Sequence, residues 1–168
     1  ILQKIEYLLI FLLFLLKNIT PTAAQTVIFF NEKTASPIEI AAVKTLQNYL
    51  GQMTGQTPRV IWNAESRPGS RVIFIQNNPY LSGFGLKMPE TVPQNGFFYE
   101  SKNNAALLVG GGEHGLEHAI FAFLEKMGCR KFAPGEPFLP KLPIDWQLPE
   151  IAPKTETPPP DTAAIPPS

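Results

Sequence analysis

The sequence predicts an α+β domain, an α/β two-layer arrangement in which a mixed β-sheet carries two main helices on one face. Three observations lead there. Short runs rich in β-branched and aromatic residues recur along the chain: TVIFF at Thr26–Phe30, RVIW at Arg59–Trp62, RVIFIQ at Arg71–Gln76, FFYE at Phe97–Glu100 and AALLV at Ala105–Val109. Two longer segments instead place apolar residues at three- and four-residue intervals, as one face of a helix requires. The order of these pieces is strand, helix, several strands, helix.

Each element has a local justification. After the first strand, Ser36-Pro37-Ile38-Glu39 reads as a helix start. Ser36 caps, Pro37 takes the first helical position where its missing N–H costs nothing, and Glu39 closes a capping box. Ile40, Val43, Leu46, Leu50 and Met53 then point one way, so the helix covers about residues 37–53, with Gly51 and Gly55 as candidate stops. Pro68-Gly69 marks the turn between the next two strands, and Asn77–Gly96 has no periodicity and reads as a loop. Ser101-Lys102-Asn103-Asn104 supplies hairpin turn residues between the fourth and fifth strands. A glycine turn at Gly110–Gly112 leads into the second helix. There Leu116, Ala119, Ile120, Phe123, Leu124 and Met127 form an apolar stripe, and Gly128 takes the C′ position. One further strand is expected at Ile144–Leu148, and from Pro149 to Ser168 no residues recur in a core-forming period.

Composition narrows the function. The chain has 168 residues with 14 basic and 14 acidic side chains, so its formal charge is zero and no basic face is expected for nucleic acid. The single cysteine, Cys129, excludes an internal disulfide framework and a cysteine-rich zinc site. It is read as a small buried hydrophobe. Lys4 followed by the apolar run Tyr7–Leu16 and the small residues Thr22-Ala23-Ala24 reads as a cleavable signal peptide over residues 1–24. The run is shorter than the roughly 20 residues a helix needs to cross a bilayer. The expectation is a secreted or periplasmic protein with no membrane association after cleavage. Residues 25–150 are expected to form the domain, and 151–168 a proline-rich linker or tail that breaks off before a further domain.

Three chemistries can be laid over Ala105–Glu136. Gly110, Gly112 and Gly115 satisfy G-x-G-x-x-G between a strand and a helix. However, the motif nearly closes the domain where a dinucleotide unit should open it, and Arg130 and Lys131 follow where an acidic ribose ligand is expected. His114-Gly115-Leu116-Glu117-His118 matches the inverted zinc-hydrolase pattern H-x-x-E-H. Helical geometry places both histidines opposite the apolar stripe, on a solvated face with Glu125, and only Glu136, Asp145, Glu150, Glu156 and Asp161 follow as a third ligand. No catalytic, cofactor-binding or metal-ligating residue is therefore assigned, and no cofactor is expected. Trp62, Tyr80, Phe84 and Trp146 are the aromatics that a stand-alone carbohydrate-binding module would stack on sugar rings, and Phe121 is expected to lie exposed on the polar helix face.

The third chemistry comes from a resemblance. Ala41-Ala42, Leu46-Gln47-Asn48-Tyr49-Leu50 and Met53-Thr54-Gly55 are similar to the A-x-E-L-Q-x-Y-L-x-x-x-T-G run of the N-terminal accessory domain of bacterial α-glucuronidases. That domain also precedes β-N-acetylhexosaminidase barrels. Phe123-Leu124-Glu125 resembles that domain's F-L-E, and Gly128-Cys129-Arg130-Lys131-Phe132-Ala133-Pro134-Gly135-Glu136 its G-C-R-W-F/Y-A-P-G-E ending. Lys131 stands where the family has an aromatic residue and His118 where it has a small or aromatic one. The resemblance implies a zincin-like topology without the catalytic centre. It also implies a role as a non-catalytic domain of a carbohydrate-degrading glycoside hydrolase, whose partner is a downstream catalytic (β/α)8 barrel of the same polypeptide; carbohydrate as a direct partner belongs to the alternative of a stand-alone binding module. The chemistry would belong to paired carboxylates of that barrel.

Overall fold

The computed structural model of the chain describes residues 24–62, 70–112, 114–130 and 136–157. The apolar leader, the Pro68-Gly69 turn, Lys131–Gly135 of the third motif and the tail from Pro158 lie outside the described residues. The elements are β1 (Thr26–Phe29), α1 (Pro37–Thr54), β2 (Arg59–Ile61), β3 (Arg71–Ile75), a 3-10 turn at Leu81–Phe84, β4 (Phe97–Lys102), β5 (Ala105–Gly110), α2 (Gly115–Lys126) and β6 (Ile151–Glu156). They form one mixed six-stranded sheet in the order β2-β1-β3-β5-β4-β6. β2, β1, β3 and β5 run parallel, and β4 lies antiparallel to both β5 and β6.

Local chemistry sets the helix ends. The Ser36 hydroxyl accepts from the Glu39 N–H at 3.2 Å, and the Glu39 carboxylate accepts from the Ser36 N–H at 2.9 Å. Gly55 ends α1 in the left-handed conformation, which a side chain would strain. At the end of α2 the Cys129 N–H donates to the Leu124 carbonyl and the Gly128 N–H to the Glu125 carbonyl. This is the paired bonding of a Schellman stop, with Gly128 at φ 95°. The hairpin turn is tighter than the sequence suggests. Ser101 and Lys102 belong to β4, and Asn103 and Asn104 alone make the turn with φ of 51° and 59°. Both lie in the region that a two-residue type I′ turn demands and that asparagine tolerates.

Both helices pack on one face of the sheet, as the fold class requires. Alternate strand residues Ile28, Ile73, Ile75, Ala106, Leu108, Phe97 and Tyr99 meet Leu46, Leu50 and Met53 of α1 and Leu116, Ile120, Phe123 and Leu124 of α2. The opposite face is also dry. Val27, Phe29, Val72, Phe74, Leu107, Val109 and Phe98 are covered by Leu81 and Leu86, with Phe84 and Val92 partly buried beside them. The segment read from sequence as an aperiodic loop therefore forms a third, thin layer. It lacks periodicity because it covers the sheet with single side chains from an irregular backbone. Its trace in the sequence is indirect: RVIFI in β3 is buried at every position, as expected of a strand covered on both sides.

The C-terminal stretch departs from expectation. Ile144–Leu148 is not a strand; it opens with a turn, closed by the Trp146 N–H donating to the Pro143 carbonyl at 3.1 Å, and Trp146 and Leu148 drop into the helix-side core. Ile151–Glu156, read as the start of a linker, is the edge strand β6, so the sheet continues past residue 150. Its pairing with β4 shifts register between Tyr99 and Ser101, around Pro153. Proline and a bulge suit an edge and blunt it against further pairing. Arg71 at the start of β3 holds this return. Its side chain donates to the Trp146 carbonyl at 2.7 Å, the Ile144 carbonyl at 3.3 Å and the Ala24 carbonyl. Its guanidinium also lies 4.2 Å from the centre of the Trp146 ring. Burial pushes the guanidinium below its ordinary pKa, and Asp145 pushes the other way.

Candidate functional site

The glycine turn between β5 and α2 is used for close packing. A Cβ on Gly110 would sit 1.9 Å from the Leu116 nitrogen, one on Gly111 2.1 Å from the Pro93 carbonyl oxygen, and one on Gly115 2.5 Å from the Gly96 carbonyl oxygen. The Gly111 N–H, a donor that a phosphate would need, is bonded to the Gly96 carbonyl at 2.8 Å. The segment around Pro93–Gly96 thus occupies the approach that a pyrophosphate would take to a dinucleotide-binding turn.

The two histidines have different surroundings. His114 is the cap residue of α2 and not a helical position, and its Nδ1 lies 3.5 Å from the Glu117 carboxylate. His118 is half-buried, its ring stacked on Phe97 at 6.1 Å between centres. The solvated face expected for both holds for His114 only. Glu117, the residue an inverted zinc site would use as base, already pairs with His114. Among the described residues, no three His, Cys, Asp or Glu side chains gather as a ligand set.

The aromatics also separate. Trp146 is 6% exposed in the core beneath Arg71. Phe84 is edge-on to Phe74 at 5.2 Å, in the layer covering the second face. Tyr80 is 43% exposed and tilted against Phe29. Phe121 is half-buried rather than exposed. With Ile38, Ala41, Ala42, Thr45, Glu117 and Ile120 it lines a shallow groove between α1 and α2 of about 150 Å³.

The fourth aromatic, Trp62, stands half-buried just past the end of β2. It walls a cleft of about 260 Å³ at the carboxyl ends of β1, β2 and β3, together with Phe30, Asn31, Thr34, Glu39, Gln76 and Asn77. A second cavity of about 600 Å³ shares Phe30, Asn31, Thr34 and Trp62 and adds Glu32 and Lys33. A polar network forms the floor. One Glu39 oxygen is held by the helix cap, and the other accepts from the Gln76 amide at 2.8 Å. The Gln76 side chain in turn accepts from the Gly110 N–H at 3.2 Å and donates to the Gly110 carbonyl at 3.4 Å. It continues the β3–β5 ladder with a side-chain amide. Gln76 itself has φ 59°, an uncommon conformation for a residue other than glycine. Sequence reasoning singled out Trp62 and Glu39 separately. Their meeting was not legible, because the carboxyl ends of three strands are joined only by the sheet order.

No protein-family model matches the chain, and no curated protein matches it. Weak structural neighbours are glycoside hydrolases. A family GH115 4-O-methyl-α-glucuronidase with specificity for decorated arabinogalactans superposes with a TM-score of 0.49 and 13% identity, over 63% of this chain and 14% of its own. A GH20 exo-β-N-acetylglucosaminidase from Vibrio harveyi gives 0.36 and 14%, over 68% of this chain and 14% of its own. A GH138 enzyme targeting pectin rhamnogalacturonan II gives 0.36 and 12%, over 68% of this chain and 11% of its own. The chain spans about one seventh or less of the length of each.

Proposed function

We propose that this chain is a non-catalytic accessory domain of a secreted, carbohydrate-degrading glycoside hydrolase of the α-glucuronidase type, packing against a catalytic (β/α)8 barrel. The observation that carries the reading is the convergence of the three resembling segments. Leu46, Leu50 and Met53 of the first, Phe123 and Leu124 of the second and Cys129 of the third lie in one helix-side core. The Cys129 sulfur is 3.4 Å from that of Met53. Segments far apart in sequence that resemble one domain in order also pack as one unit. The groove at Phe121 and the outer faces of α1 and α2 are the surfaces this reading gives to the barrel. A second reading, direct carbohydrate binding, is favoured by the Trp62 cleft.

The test has two arms. The mature chain from Gln25, purified alone, is assayed on aryl glycosides including glucuronides; measurable turnover would overturn the non-catalytic assignment. The coding sequence is then read beyond Ser168. A frame continuing into a barrel with carboxylates at its strand ends supports the accessory role, and a stop codon removes the barrel partner. Amino-terminal sequencing of protein recovered outside the cytoplasm should begin at Gln25.

A further inference from the structure

We propose that the cleft walled by Trp62, Asn31 and Asn77 is a binding site for a neutral saccharide. Three observations place a site there. First, the chain diverges at this point. From β1 it passes through α1 to β2 on one side, whereas β3 leads toward β5 and β4 on the other. The crevice outside the carboxyl ends of parallel strands, at such a switch, is where open sheets receive ligands. Second, the floor is hydrogen-bonded and under backbone strain. Gln76 is held at positive φ by bonds from its side chain to both Glu39 and Gly110, and strain retained by bracing on two sides concentrates at functional positions. Third, the walls carry unspent groups. Neither the Trp62 indole N–H nor the Asn77 amide bonds to any described residue, and Asn31 uses its side-chain oxygen on the Lys33 N–H.

The lining chooses the ligand class. Among the described lining residues Lys33 is the one cation, beside two carboxylates, Glu32 and Glu39, so this lining carries no surplus of positive charge for a phosphate. Amides both donate and accept, as a ring of hydroxyls requires, and an indole face takes the apolar C–H face of a pyranose. The smaller cavity suits one sugar ring, and the adjoining one lets a chain continue. The choice of a saccharide over another neutral polyol rests on the carbohydrate reading above; the location does not.

The test is a titration of the full chain with xylo-oligosaccharides, chito-oligosaccharides and neutral arabinogalactan fragments. It is followed by tryptophan fluorescence and amide NMR shifts, with buried Trp146 as the internal reference. A saturable change is expected with one of these probes, with shifts at Asn31, Asn77 and the Trp62 indole. Trp62→Ala should lower affinity roughly tenfold or more, as expected for loss of a stacking face, and Asn77→Ala should weaken it while circular dichroism stays unchanged. No response to any probe at about 10 mM, ten times a Kd of about 1 mM, overturns the saccharide assignment. Binding that survives Trp62→Ala overturns the location. Neither result bears on the barrel partner, which the reading frame beyond Ser168 decides separately.

Discussion

Arg71→Met is the perturbation that most directly tests how the C-terminal return is held. Arg71 is 3% exposed and reaches three backbone carbonyls, two of them in the segment that carries Trp146 into the core. A hydrogen bond from a charged donor contributes about 1.5–3 kcal/mol, and a guanidinium over an indole about 0.5–2 kcal/mol. These do not add, because one side chain makes all of them and water can reach some of the freed carbonyls. Methionine keeps the apolar stem, so the packing share of the loss is small. The expected net cost is about 3 kcal/mol. Arg71→Lys keeps the charge but not the planar fork, and should cost about half as much. Urea unfolding followed by tryptophan fluorescence measures both, since Trp146 reports on the lost contact. Hydrogen exchange should quicken first in residues 144–148 and in β6. If Arg71→Met stays within about 0.5 kcal/mol of the parent, the range of an ordinary surface substitution, the clamp does not hold the strand.

Leu86→Ala tests the thin covering layer. The residue is 1% exposed, so its truncation should cost about 2–5 kcal/mol by calorimetry or denaturant titration, whereas an unpacked loop would show almost nothing. Gly110→Ala places a methyl group 1.9 Å from the Leu116 nitrogen. It should lose at least the upper part of the about 1–3 kcal/mol typical of overpacking, whereas Gly83→Ala, with no atom within 4 Å, should be neutral in the same thermal melt. The Glu156 carboxyl is held below its ordinary pKa chiefly by the Lys154 ammonium at 2.6 Å, aided by the Tyr99 hydroxyl at 2.9 Å. Its contribution is therefore fully present above the unfolded carboxylate pKa and is lost as pH falls through the lower folded value. Wild type and Glu156→Gln should differ in unfolding midpoint near neutral pH and converge in acid; a constant difference at all pH values would remove the carboxylate from the explanation.

The sequence by itself determined the elements whose causes are local. The capping box at Ser36 and Glu39, the stripe of α2 with its Gly128 stop, and a hairpin turning within Ser101–Asn104 are each written within a few residues, because capping, helical period and turn chemistry act over that range. The two-helix layer on a mixed sheet followed from their order. Tertiary structure alone decided the rest, through contacts between residues far apart in the chain. β6 is a strand because β4 offers it an edge and Arg71 holds its approach from 75 positions upstream of Trp146. Read alone, Ile151–Glu156 is a proline-bearing polar segment. The glycines of Gly110–Gly115 look like a phosphate loop in one dimension and are packing contacts in three, since the Pro93–Gly96 backbone lies across them. His114 and His118 share a motif but not an environment, because helix α2 begins only after the first of them. The Trp62 cleft exists only because the sheet order brings the ends of three strands together, and no pattern within any one strand encodes that order.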